Sequence, residues 1–135
     1  MQTTWYRNKA SNNPNQVDFE IHDCETNKLI GHCGLYYINW VYRTGEFGIY
    51  IGDQNYKGKG YGSDSLRTLI KYGFDDLNLN RIWAEVYTNN AALDLYTRVG
   101  FVVEGAMRQT VYKNGRYYDS TIIGMLKSEY EQLYK

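Results

Sequence analysis

The chain has 135 residues, with fifteen basic and fifteen acidic side chains, so its formal charge is zero. That length allows one domain around one core, and the balanced charge argues against a nucleic-acid wrap or a polybasic membrane anchor. Apolar residues make up 43% of the chain. No run reaches the apolar length of a membrane span and no signal-peptide pattern is visible, so a soluble, cytoplasmic protein is expected.

Residues 1–16 are polar, contain the only proline, Pro14, and read as an irregular lead-in anchored by Trp5 and Tyr6. Residues 17–135 read as a single domain. "VDFEIH" at 17–22 alternates with period two and predicts a strand. A turn, "ETNK", leads to a second strand, "LIGHCGLYYI", and "EFGIYIGD" predicts a third. A helix follows, with Leu66, Leu69, Ile70, Phe74 and Leu77 on one face and Ser63 or Asp64 as its cap. "RIWAEVYT" predicts a strand. Asn89 or Asn90 then caps a second helix, "AALDLYTRV", which stops at Gly100. "FVVEG" returns as a strand, and Asn114-Gly115 supplies the two-residue turn of a type I′ hairpin. A short polar tail ends the chain. Strand–helix–strand units require parallel pairing and hairpins require antiparallel pairing, so the fold class is α/β with a mixed sheet.

Two other features carry alternatives. Cys24 and Cys33 lie near His22 and His32, but their spacing is not that of a four-ligand zinc site; free thiols are expected and no metal is assigned. Fifteen tyrosines suit either strand packing or a half-open cleft.

The segment "NYKGKGYGSDSL" joins the third strand to the first helix. Gly58-Lys59 is followed by Gly60, so it lacks the Gly-Lys-Ser/Thr ending of a P-loop. Gly58, Gly60 and Gly62 fall one residue short of the dinucleotide fingerprint. Two readings remain: an anion held by backbone N–H groups at a helix N-terminus, or a tight turn without a ligand.

Lys57, Gly60 and Gly62, then Asn89 and Ala92, then Leu95, Tyr96, Gly100 and Phe101, with "KNGRYYD" beyond, form an ordered set. It resembles the GNAT family of acetyl-CoA-dependent N-acetyltransferases, most closely the RimJ/RimL-like branch. The resemblance runs from about Val17 to the C-terminus; lysine at position 57 replaces the family's Arg/Gln and keeps a positive charge. It implies the GNAT acyl-CoA N-acyltransferase fold and acetyl-CoA as co-substrate. By resemblance, the backbone of Gly48, Ile49, Tyr50 and Ile51 flanks the pantetheine arm. Lys57, Gly58, Lys59, Gly60, Tyr61, Gly62 and Ser63 hold the pyrophosphate. Asn89 and Ala92 lie on the pantetheine side, and Tyr96 faces the sulfur.

The implied reaction is direct attack of a primary amine on the thioester. A base must remove a proton: Glu46 through water, unless it is only a solvated strand-end carboxylate, with Glu85 a weaker candidate. A backbone N–H at about Tyr50 or Ile51 meets the oxyanion, and Tyr96 protonates the thiolate, unless it is a core tyrosine. Tyr112, Tyr117, Tyr118 and Asp119 either meet the acceptor or form a surface hairpin. Acceptors implied by the family are protein N-termini, polyamines, aminoglycosides or amino sugars. The family usually opens with a strand and helices ahead of the segment matched here by "VDFEIHD". Residues 1–16 are too few for these, so an uncovered sheet edge and a homodimer covering it are expected. The alternative function is an acetyl-CoA-binding module with little or no transferase activity.

Overall fold

The computed structural model describes residues 3–7, 12–52, 54–87 and 90–135. Its centre is a mixed seven-stranded sheet in the order β1-β2-β3-β4-β5-β7-β6. The strands are β1 (Thr3–Arg7), β2 (Val17–Asp23), β3 (Leu29–Asn39), β4 (Thr44–Ile51), β5 (Arg81–Val86), β6 (Val102–Lys113) and β7 (Arg116–Leu126). Neighbours are antiparallel except β4 and β5. The helices are α1 (Tyr61–Lys71), α2 (Asn90–Val99) and α3 (Lys127–Tyr134).

One face of the sheet carries the core. Leu35, Phe47, Ile82, Ala84, Ile123 and Met125 are buried with Leu66, Leu69, Ile70 and Phe74 of the first helical segment. Each of the Leu, Ile, Phe and Met side chains contributes about 1.5–3 kcal/mol when fully buried. After α1 the chain widens into a π-helical turn, Tyr72–Asp76, in which the Leu77 N–H reaches back to the Tyr72 carbonyl. The extra residue per turn shifts the stripe's phase, which leaves Leu77 half-buried while Phe74 stays fully inside.

Three sequence expectations are corrected. The lead-in is not irregular throughout: Thr3–Arg7 form β1, paired antiparallel along β2, because β2 would otherwise present a row of unpaired backbone groups. Trp5 packs on Phe19 at 5.0 Å and ties the strand down. The α1 cap is Gly60, at φ 86°, with no side-chain cap from Ser63 or Asp64. A left-handed glycine starts the helix one turn earlier than the polar residues suggested. The polar tail is the helix α3. Its Tyr130 is buried, stacks on Phe74 at 4.9 Å and donates to Asp75 Oδ2 at 2.9 Å, and its Tyr134 donates to the Val99 carbonyl, so two tyrosines dock a largely polar segment.

The end of α2 and the hairpin turn match the sequence expectation. α2 ends on Gly100 at φ 126°, with the Phe101 N–H returning to the Tyr96 carbonyl at 3.1 Å. Asn114 and Gly115, at φ 54° and 75°, turn β6 into β7 in the type I′ manner. Cys24 is exposed, Cys33 is buried, and both are free thiols. Among the described residues, no group of three or more His, Cys, Asp or Glu side chains could hold a metal ion. No helix among them is long and apolar enough to cross a membrane.

Candidate active site

The site begins where β4 and β5 part. They pair only at Thr44–Arg81, Gly45–Ile82 and Glu46–Trp83. Beyond Glu46, β4 continues against β3 alone, and beyond Trp83, β5 continues against β7 alone. A wedge opens between them. The Gly52 N–H donates to the Ile30 carbonyl at 2.9 Å, and pairing alternates along an antiparallel ladder. The residues of β4 that turn their N–H and C=O groups into the wedge are therefore Phe47, Ile49 and Ile51. Gly48 and Tyr50 turn theirs toward β3, so the expectation that their backbones flank a ligand in the wedge is corrected. The Tyr50 side chain, 65% exposed, points to the opposite face for the same reason.

On the helical side the wedge opens into a cavity of about 380 Å³, lined by Ile49, Ile51, Lys57, Gly58, Gly62, Ala91, Ala92, Leu95, Tyr96 and Arg98. A second cavity of about 290 Å³ shares Ile51, Lys57, Gly58, Gly62, Leu95 and Arg98 with it and adds Tyr56, Gly60 and Ser63. The two form one trough along the start of α1. The amides of Gly62 and Ser63 lie in the first helical turn, where no carbonyl one turn back can accept from them. They face the trough with the positive end of the helix behind them. Lys57 and Arg98 place two cations on its walls.

Lys59 and Tyr61 line neither cavity. Tyr61 packs edge-on against Tyr56 at 4.9 Å, and Tyr56 donates to Asp23 Oδ2 at 2.7 Å. These contacts tether the glycine loop to the end of β2. Asn89 lies outside the described residues. Sequence reasoning missed Arg98 and Leu95 as lining residues. Both belong to the α2 face that also carries Ala92 and Tyr96, so helical spacing could have found them.

Tyr96 reaches the floor of the wedge. Its ring meets Phe47 edge-on at 5.1 Å, and burial raises its phenol pKa, so it stays protonated. On the other face of the sheet Glu46 stands at the fork itself. Burial, and then the charge of Glu85, raise its proton affinity above that of an ordinary carboxylate. The Tyr36 ring lies alongside: a Cβ at Gly48 would come within 3.0 Å of it. Burial and the hydrogen bond with Asp18 push the Tyr36 phenol upward. Arg81, the nearby cation on β5, is held in a two-bond pair with Glu104, at 2.6 and 2.5 Å. Tyr112 and Tyr117 face each other at 5.0 Å near the hairpin tip and are exposed. Asp119 accepts from the Gln109 N–H at 2.9 Å, within a bulge of β6. None of these hairpin residues lines either cavity.

An acetyltransferase (GNAT) domain model matches residues 1–102. The chain is 38% identical over 107 residues to an uncharacterized N-acetyltransferase, p20, of Bacillus licheniformis, covering 78% of this chain and 60% of that protein. It is 36% identical over 113 residues to a spermidine N(1)-acetyltransferase of Vibrio cholerae, covering 83% and 64%. Among solved structures, a chimera of the Vibrio cholerae spermidine N-acetyltransferase SpeG and hSSAT superposes with a TM-score of 0.85 at 33% identity. That match covers 94% of this chain and 75% of the other. The chain spans about three fifths of the length of the curated relatives it matches first.

Proposed function

This chain belongs to the GNAT acetyltransferase family, and on that premise we propose that it binds acetyl-CoA in the trough and transfers the acetyl group to a primary amine. The observation that carries the reading is the wedge. It combines an unpaired strand edge at Ile49 and Ile51, a helix N-terminus flanked by Lys57 and Arg98, and a buried phenol, all on one continuous trough.

The residues present fit the cofactor. An amide-rich arm can pair with the free edge of β4 as a further strand would. A pyrophosphate suits the amides of Gly62 and Ser63 and the two cations. Open space lies above Gly58, with no atom within 4 Å of where a Cβ would stand. Acetyl-CoA, when bound, supplies an electrophilic thioester carbonyl.

The protein's own groups then have distinct tasks. Glu46, with its raised proton affinity, takes a proton from the acceptor ammonium, directly or through water. The N–H of Ile49 or Ile51 meets negative charge developing on the carbonyl oxygen. The Tyr96 phenol gives its proton to the departing sulfur and recovers one from solvent.

The acceptor in this reading is a small amine, a polyamine among the candidates because relatives are spermidine acetyltransferases. A cytoplasmic location and a homodimer belong to the same reading; a monomer by light scattering at micromolar concentration removes the dimer.

The test is thiol release from acetyl-CoA in the presence of a panel of primary amines, with mass detection of the acetylated product. Amine-dependent release with product supports transfer. Saturable acetyl-CoA binding without release from any amine favours the binding-module reading.

A further inference from the structure

One hydrogen-bonded chain on the open face of the sheet has no part in the roles above. Thr110 donates to Ser120 Oγ at 2.7 Å, and Ser120 donates to Glu85 Oε2 at 2.5 Å. The fold spends structure on this chain. The register of β6 against β7 breaks between Met107 and Val111, and Gln109 inside the break is held at φ 54°. The Asp119 carboxylate secures that bend by accepting from the Gln109 N–H. The bulge re-aims Thr110 so that its hydroxyl reaches Ser120, which is itself 1% exposed. The two hydroxyls thus act in series, Thr110 on Ser120 and Ser120 on a single carboxylate oxygen, which holds the Glu85 side chain in place.

Glu85 lies two residues beyond Trp83, the last β5 residue paired with β4. By strand alternation it shares the face of Trp83 and Glu46. The two carboxylates therefore stand on opposite lips of the fork, close enough for one to feel the other's charge. Oε2 of Glu85 is committed to Ser120, and among the described residues no hydrogen bond or ion pair engages Oε1. Arg81, on the same face of β5, is occupied by Glu104.

We propose that Glu85, fixed by the Ser120–Thr110 hydroxyl pair, is a specificity-determining residue whose free carboxylate oxygen receives the acceptor's ammonium group and holds it beside Glu46. The assignment rests on the amine-acetylation reading for its purpose, but its test does not depend on turnover. It selects acceptors that arrive as cations, since a neutral amine or an alcohol gains nothing from a fixed anion at that position. Loss of the charge removes one charge-assisted hydrogen bond, worth about tenfold in affinity.

The experiment measures binding of putrescine, spermidine and glycinamide by calorimetry, in the presence of CoA, to the wild type, Glu85→Gln and Ser120→Ala. Glutamine still accepts from Ser120, so Glu85→Gln removes the charge and spares the hydrogen-bond chain. The expected result is about tenfold weaker binding of the best amine in Glu85→Gln and a smaller loss in Ser120→Ala, with acetyl-CoA affinity unchanged in both. Unchanged amine affinity in Glu85→Gln overturns the assignment, as does equal weakening of amine and acetyl-CoA, or failure of every amine to bind the wild type. Charge-dependent amine binding without any thiol release leaves Glu85 in place and removes the acetyl-transfer reading. Amine-dependent release with an unaltered KM in Glu85→Gln does the reverse.

Discussion

Substituting alanine for Gly62 is expected to strengthen the fold and weaken the cofactor site. Gly62 is the second residue of α1 and has no positive φ. A Cβ there finds Leu95 Cδ1 at 3.5 Å as its nearest neighbour, an ordinary van der Waals contact. Nothing must move, so the usual gain from replacing a helical glycine applies, about 0.5–1 kcal/mol. For a chain of this size that raises Tm by about 2–4 °C. The same methyl group projects at the wall of both cavities, where a phosphate would approach the first-turn amides. Losing one charge-assisted hydrogen bond costs about 1.5–3 kcal/mol, or roughly ten- to a hundredfold in Kd for acetyl-CoA. Thermal melts and calorimetry on one preparation read both effects. A raised Tm with unchanged Kd would refute the phosphate-cradle reasoning. A lowered Tm would refute the packing argument.

Three further outcomes follow from the same geometry. Tyr96→Phe keeps the edge-on contact with Phe47, so acetyl-CoA affinity should hold while kcat falls about a hundredfold; an unchanged kcat removes Tyr96 as the proton donor. Gly100→Ala forces a side chain into φ 126° with its Cβ 2.6 Å from Leu133 Cδ1, and denaturant melts should show a loss of about 1–3 kcal/mol. Asp75 is held below the ordinary aspartate range, first by the hydrogen bond from Lys135 and then, against some burial, by that from Tyr130. A lowered carboxylate pKa adds stability above the unfolded value and loses it as pH falls through the folded value. Asp75→Asn should therefore lower Tm at neutral pH, and the gap from wild type should close in acid; a gap that persists there contradicts the linkage.

Where side-chain pattern decides the structure, the sequence was legible. The period-two alternation of "VDFEIH", the stripe from Leu66 to Phe74, Gly100 and the Asn114-Gly115 turn each appear where local rules place them. The misses have physical causes. β1 exists because β2 offers it an edge, a long-range fact that no local propensity carries. α3 depends on Tyr130 reaching Phe74 and Asp75 and on Tyr134 reaching Val99, all far away in the chain. Of the candidate site, the glycine loop, Ile49, Ile51 and Tyr96 could be read as residues of one trough because their motifs are local. Tyr50 could not be excluded, because the backbone direction of a strand residue follows from its register with β3. The Glu85–Ser120–Thr110 chain was invisible, since it depends on a bulge and on contacts spanning three strands.

The most direct test of the central claim is an amide-resolved NMR titration of the labelled protein with acetyl-CoA. The account predicts saturable shifts at Ile49 and Ile51, at Gly58, Gly60, Gly62 and Ser63, and around Tyr96, with the hairpin tip at Tyr112 and Tyr117 unmoved. Shifts that leave the wedge and the start of α1 silent, or none at saturating acetyl-CoA, would contradict it.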